Sequence, residues 1–123
     1  MAIRYPRLDV VFSANHPDVP RTELPGLVVD VDQRTVLVDG RPIELPFLEF
    51  ELLAHLVASP LRVHSRGQLM EAIWGRPDNG DTRTIATHIA RIRRKLGPGH
   101  RDAIATVRQV GYKYDPRLVQ AAA

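Results

Sequence analysis

Cysteine is absent from the 123-residue chain. That excludes a disulfide scaffold, a thiolate zinc site and a cysteine nucleophile, and it suits a reducing cytoplasm, the expected location. No run approaches the 18 or so apolar residues of a membrane span. The opening Met1-Ala2-Ile3-Arg4-Tyr5-Pro6 lacks the apolar stretch of a signal peptide. His16, His55, His64 and His100 show no metal-ligand spacing and read as structural or exposed. Gly97-Pro98-Gly99-His100 is a helix stop; it has neither the spacing nor the following helix of a phosphate loop. No nucleophile is paired with a base. The expectation is a protein that is not an enzyme and holds no metal or cofactor. With 44% hydrophobic and 25% charged residues, the chain has the composition and length of one globular domain.

Acidic residues are scarce where basic ones concentrate. The net charge is +3 overall, but it is unevenly placed. Residues 1–45 hold five Arg against seven acids, whereas residues 82–117 hold nine basic residues against only Asp102 and Asp115. A near-neutral front half joined to a basic segment is the footprint of a nucleic-acid binder; a solvated charged face is the plainer alternative. Fifteen of the seventeen basic residues are Arg, the side chain suited to bidentate contacts with phosphate and guanine.

Four prolines within residues 1–25 suggest an irregular arm or linker, with Leu8 to Phe12 as a short strand. From Gly26 the texture changes. Leu27 to Val31 and Arg34 to Val38 read as strands. Asp39-Gly40 signals a hairpin, and Arg41 to Leu45 forms a third strand kept at an edge by Pro42. Phe47 to Ala58 is helical, with one stripe of Phe50, Leu53 and Val57 flanked by Leu52 and Leu56. Pro46 offers no side-chain cap, and Pro60 lies just past the end. Ser65-Arg66-Gly67-Gln68 is a capping box opening a second helix through Leu69, Met70 and Ile73, closed by Gly75. A polar loop follows. Asp81 or Thr82 caps a third helix, Arg83 to Leu96, which Gly97-Pro98-Gly99 ends. Ile104 to Val107 and Tyr112 to Tyr114 form a terminal hairpin. The fold class is α+β. The expected division is an arm at 1–25, a domain at 26–116 and a tail at 117–123.

At 100° per residue, Ile85, Ile89, Ile92 and Leu96 fall in one sector of the third helix, the core face. Arg83, Thr87, Ala90 and Arg94 lie opposite, with Arg91 and Thr84 beside them. The helix has five basic residues and no acid. Its C-terminal dipole accounts for Arg93, Arg94 and Lys95 but not for Arg83 at the opposite end. Ala86, Thr87 and Ala90 are small enough to let the helix sink into the B-DNA major groove, with arginines at its edges to bond guanine. Arg108 at the hairpin tip fits a narrow minor groove, or is simply an exposed turn residue. Trp74 on an amphipathic helix suits the core as well as a ligand, and His88 stands beside the basic face.

These residues resemble the OmpR/PhoB family of winged-helix effector domains. The resemblance runs from Gly26 to Tyr114. It includes Glu49-Phe50-Glu51-Leu52-Leu53, Ser65-Arg66-Gly67-Gln68-Leu69, Ile73-Trp74-Gly75, Arg83-Thr84-Ile85, His88 to Leu96, Thr106-Val107-Arg108 and Gly111-Tyr112. It implies a winged helix-turn-helix: an N-terminal antiparallel sheet, three helices and a C-terminal β-hairpin wing. It further implies that the third helix enters the major groove and the wing touches the minor groove. By matching position, Thr87 and Arg91 face bases; Arg94 joins the DNA-binding face by its place on the helical wheel. Arg66, Trp74, Arg83, His88, Arg93, Thr106 and Tyr112 contact phosphates, and Arg108 is the wing arginine. The loop 75–81 corresponds to the family's RNA polymerase-contacting loop. The family usually has an acid at Ala86, an apolar residue at Thr87, Thr at Pro46 and Gly at Gln109. Members usually carry a receiver domain of about a hundred residues or more. Residues 1–25 are too few to form one, and no phosphoacceptor Asp is assigned.

The leading expectation is therefore a DNA-binding transcriptional regulator acting on double-stranded DNA, a monomer in solution that pairs on DNA. Two alternatives stay open. One is an architectural binder with little sequence preference. The other is a protein-interaction module that docks on RNA polymerase through loop 75–81.

Overall fold

The computed structural model describes residues 21–77 and 83–120, and the side chains from residue 23 onward. The expected strand Leu8 to Phe12 and the expected caps Asp81 and Thr82 lie outside the described residues. Two compact units divide the chain, residues 1–44 and 45–123.

The first unit is an antiparallel sheet of four strands in the order β1-β2-β3-β4: β1 (Arg21–Leu24), β2 (Leu27–Asp30), β3 (Thr35–Val38) and β4 (Arg41–Ile43). Alternation puts Leu27, Val29, Val36 and Val38 on a buried face. Asp39 and Gly40 both have positive φ, 51° and 81°, the pair a type I′ hairpin turn needs. Pro42 sits on the outer strand, where no partner among the described residues requires its missing N–H. The segment read as irregular through residue 25 pairs instead as a strand from Arg21, with Leu24 opposite Leu27. The turn that makes this possible is Pro25-Gly26. Pro presets φ at the second turn position, and Gly26 takes φ 70° at the third, a type II signature.

The second unit contains α1 (Phe47–Val57), β5 (His64–Ser65), α2 (Arg66–Leu69), a π-helical turn (Met70–Trp74), α3 (Arg83–Leu96), β6 (Ile104–Val107) and β7 (Gly111–Tyr114). α1 begins without a side-chain cap, as Pro46 requires, yet its first turn closes through the Phe50 N–H to the Pro46 carbonyl at 2.9 Å. The helix is buried on most of its circumference, including Glu49 and Glu51, and not along a single stripe. The capping box forms as read. Ser65 Oγ accepts from the Gln68 N–H at 3.1 Å, and Gln68 Oε1 accepts from the Ser65 N–H at 2.9 Å. The second helix, expected to stay α-helical to Ile73, widens into the π turn after Leu69. Gly75 ends it in the left-handed region.

α3 has the expected ends, and Ile85, Ile89, Ile92 and Leu96 are all buried. The terminal hairpin is part of a three-stranded sheet, β5-β7-β6, because the capping-box serine and the residue before it pair with the hairpin: Ser65 with Gly111, and His64 with Tyr112. The expected tail is pinned through residue 120. Arg117 donates from its N–H, Nε and Nη2 to the buried Asp115 at 2.9–3.0 Å, and the Gln120 N–H reaches the Gly99 carbonyl at 2.7 Å. The Arg117 bonds hold the Asp115 carboxyl down to about 2.

His64 is buried and meets His55 edge-on, with ring centroids 4.9 Å apart. Burial lowers the pKa of both rings from the ordinary 6.5, and nearby Arg62 lowers each further. Both folded values lie below the unfolded ones, so the stability these rings contribute is fully present above pH ~6.5 and is lost as pH falls below it. Melting temperature is therefore expected to drop between pH 7.5 and 5. His55→Gln or His64→Gln should flatten that slope. Unchanged slopes in both variants would refute the assignment.

Candidate nucleic-acid interface

α3 supplies the central surface. Its exposed side chains are Arg83, Ala86, Thr87, Ala90, Arg91 and Arg94, with Thr84 and His88 at the margin. This is the face opposite the isoleucines, as the 3.6-residue period requires. Among the described residues no hydrogen bond or ion pair engages the Arg91 or Arg94 side chain. Arg83, Thr84, Thr87 and His88 line a shallow groove of about 370 Å³.

Not all five cations of α3 serve that face. Lys95 turns the other way. Its Nζ lies 3.0 Å from Glu49 Oε1, whose side chain is only 3% exposed. This pair ties α3 to α1. Arg93 is half-buried. Its Nε and Nη2 donate to the Ile104 carbonyl at 3.0 and 2.7 Å, and Nη2 donates to Thr106 Oγ1 at 2.8 Å. Burial lowers the Arg93 pKa from its ordinary value, while Tyr112 and Asp102 act in the opposite sense. The helix dipole is thus a smaller reason for these two cations than their specific partners.

Trp74 and His88 meet at the margin of the face. Their rings are edge-on, 5.1 Å between centroids and 84° between planes. His88 Nδ1–H donates to the Thr84 carbonyl at 2.7 Å, which fixes the ring against its own helix. Both side chains are half-buried, so neither extreme applies: Trp74 is not a core residue and His88 is not freely solvated. Arg66, the first residue of α2, is half-buried, and its Nε has no hydrogen-bond partner among the described residues.

At the hairpin, Thr106 and Tyr112 are directly opposed on β6 and β7. Arg108 is exposed at the tip, next to Val110 at 50% exposure. The turn closes through the Val110 N–H to the Val107 carbonyl at 2.9 Å, with Gln109 at φ 67°. That left-handed position is the reason a glycine is usual there; glutamine adopts it at some cost.

Two residues that the sequence places only in its charge count also border this face. Arg101 and Asp102 line a groove of about 620 Å³ with Ala90, Arg93, Arg94 and Thr106. The signal was Gly97-Pro98-Gly99, where Gly97 and Gly99 take φ 83° and 95° and turn the chain back along α3. Among the described residues no cluster of His, Asp or Glu has the makings of a metal site. No helix among them is long and apolar enough to cross a membrane.

Known proteins share this arrangement. Residues 40–114 match the family described as "Transcriptional regulatory protein, C terminal". The sensory transduction protein RegX3 of Mycolicibacterium smegmatis is 42% identical over 89 residues, 71% of this chain and 39% of that protein. The DNA-binding domain of CpxR from Escherichia coli superposes with a TM-score of 0.71 at 31% identity, covering 84% of this chain and 99% of that one. The Klebsiella pneumoniae RstA DNA-binding domain, solved in complex with the RstA box, gives 0.72 at 26% identity, covering 78% and 97%. The chain spans less than half the length of the curated relatives it matches. With a match over most of its length, an antiparallel sheet, three helices and a terminal hairpin, the chain belongs to the OmpR/PhoB-type winged-helix family of transcriptional regulatory proteins.

Proposed function

We propose that this chain is the double-stranded DNA-binding domain of a cytoplasmic transcriptional regulator, a binding module and not a catalyst. α3 lies in the major groove, and the β6–β7 hairpin meets the minor groove. The observation that carries this reading is the exposed face of α3, where Arg91 and Arg94 stand among Ala86, Thr87 and Ala90 with no acid on the helix. Small residues let the backbone approach base edges, and a polyanion relieves the crowded positive charge. The RstA domain solved in complex with its DNA box is an analogy in kind. Thr87 and Arg91 read bases. Arg66, Trp74, Arg83, His88, Thr106 and Tyr112 border phosphates, with Arg94 on the same face, and Arg108 enters the minor groove. Loop 75–81 faces RNA polymerase, and two copies pair on tandem half-sites from a monomeric pool.

Selection of bound duplexes from a random pool, followed by anisotropy titration, tests this. A selected duplex should bind far more tightly than random sequence. About 6–8 phosphate contacts correspond to a log–log salt slope of roughly −5 to −7. Arg91→Ala should lose about tenfold on the selected duplex and much less on random DNA. Equal affinity for both duplexes would leave an architectural binder, and no binding at low salt would leave a protein-interaction module.

A further inference from the structure

We infer that Arg93 is a positioning residue, a strut that locks the wing to the recognition helix so that major- and minor-groove contacts are made as one unit. The inference rests on the DNA-binding reading above and goes beyond it, because the resemblance places Arg93 among independent phosphate contacts. Three observations support the strut.

First, the guanidinium offers five N–H donors, and three of them are spent inside the protein: Nε–H and one Nη2–H on the Ile104 carbonyl, the other Nη2–H on Thr106 Oγ1. Only the Nη1 pair remains for a phosphate. Second, the acceptor is an edge. In the order β5-β7-β6 the strand β6 is outermost. The Asp115 N–H donates to the Ala103 carbonyl at 2.7 Å, so that carbonyl faces inward. Alternation then turns the Ile104 carbonyl outward, away from β7. Arg93 satisfies this outward group and so replaces the missing neighbour strand. Third, the contact spans the two elements that read DNA. Arg93 follows Arg91 by two residues on α3, and Ile104 and Thr106 begin the strand that leads to Arg108. Thr106 accepts from Arg93 and keeps its own hydroxyl proton to donate.

The planar fork is essential to this geometry, and lysine cannot reproduce it while keeping the charge. Affinity for a selected duplex is measured for the parent, Arg93→Lys, Arg108→Ala and the double variant. Amide hydrogen exchange across residues 104–114 is measured in the free proteins. In the parent, Arg108→Ala is expected to cost about tenfold; in the Arg93→Lys background it should cost less than about twofold. Wing amides should exchange about tenfold faster in Arg93→Lys, with α3 core amides unchanged. Thr106→Val removes one of the three bonds without altering charge, and it should shift both readouts in the same direction by a smaller amount. It carries the test if Arg93→Lys does not fold. Additive losses with unaltered wing exchange would overturn the strut and leave Arg93 a simple phosphate contact. If no duplex binds any variant, the DNA reading fails, while the exchange data still decide whether the strut exists.

Discussion

Gly111→Ala is expected to cost about 3 kcal/mol or more, the upper end of what overpacking inflicts. Gly111 opens β7 at the point where it pairs with both Val107 and Ser65. A Cβ built there collides with the His64 carbonyl oxygen and comes within 2.8 Å of its carbon and 2.9 Å of Ser65 Cα. All three are backbone atoms, so no side chain can rotate aside. Relief requires β5 to separate from β7, and β5 leads directly into the capping box that starts α2. The damage therefore spreads from the wing to the helix that carries Arg66 and to the π turn after it, which carries Trp74. For a unit of this size the melting temperature should fall by roughly 12–24 °C. A Gly111→Ala protein melting within a few degrees of the parent would show that the strands are not this close. Gly40→Ala is the contrast. Its Cβ meets nothing within 4 Å, and only its positive φ resists, so its cost should stay near 1 kcal/mol.

Lys95→Met should destabilise by about 2 to 3 kcal/mol. Removing one partner of a buried ion pair leaves the other charge stranded, a loss that reaches about 3–5 kcal/mol in dry surroundings. The Glu49 side chain is 3% exposed, but Lys95 is 33% exposed, so water reaches one edge and moderates the cost. Glu49→Leu alone should be milder, because a freed Lys95 can extend its ammonium to solvent. The double variant Lys95→Met/Glu49→Leu should recover most of the loss, as apolar replacement of buried ion pairs often does. Denaturant midpoints for the four proteins close the cycle. If Lys95→Met matched the parent, the pair would contribute nothing to holding α3 on α1. DNA affinity should follow salt and phosphate contacts and change little in the double variant, since Lys95 faces away from the exposed arginines.

Local chemistry made much of this molecule readable. The isoleucine stripe of α3, the Asp39-Gly40 turn, the Ser65–Gln68 box and the glycine stops at 75 and 97 each depend on residues a few positions apart. Their outcomes follow from helical period, φ preference and reciprocal capping. β1 is equally local: prolines dominate the segment before it, but Pro25-Gly26 is a turn signal in its own right.

Distant pairings are another matter. Arg93, Arg94 and Lys95 are adjacent cations with the same propensities and the same helix dipole. Nothing in their spacing says that one will clamp β6, one will stay exposed and one will bury against α1. Each outcome depends on what the fold brings alongside: Ile104 and Thr106 from eleven to thirteen residues on, and Glu49 from forty-six residues back. Gly111 sits beside the hairpin turn in sequence, yet its requirement comes from a backbone met only after β5 packs on β7. The amphipathic, basic recognition helix was written in the order of residues. Which of its charges remain available to a ligand was settled by tertiary packing, because a charged side chain is spent or spared according to the acceptors placed within about 3 Å of it.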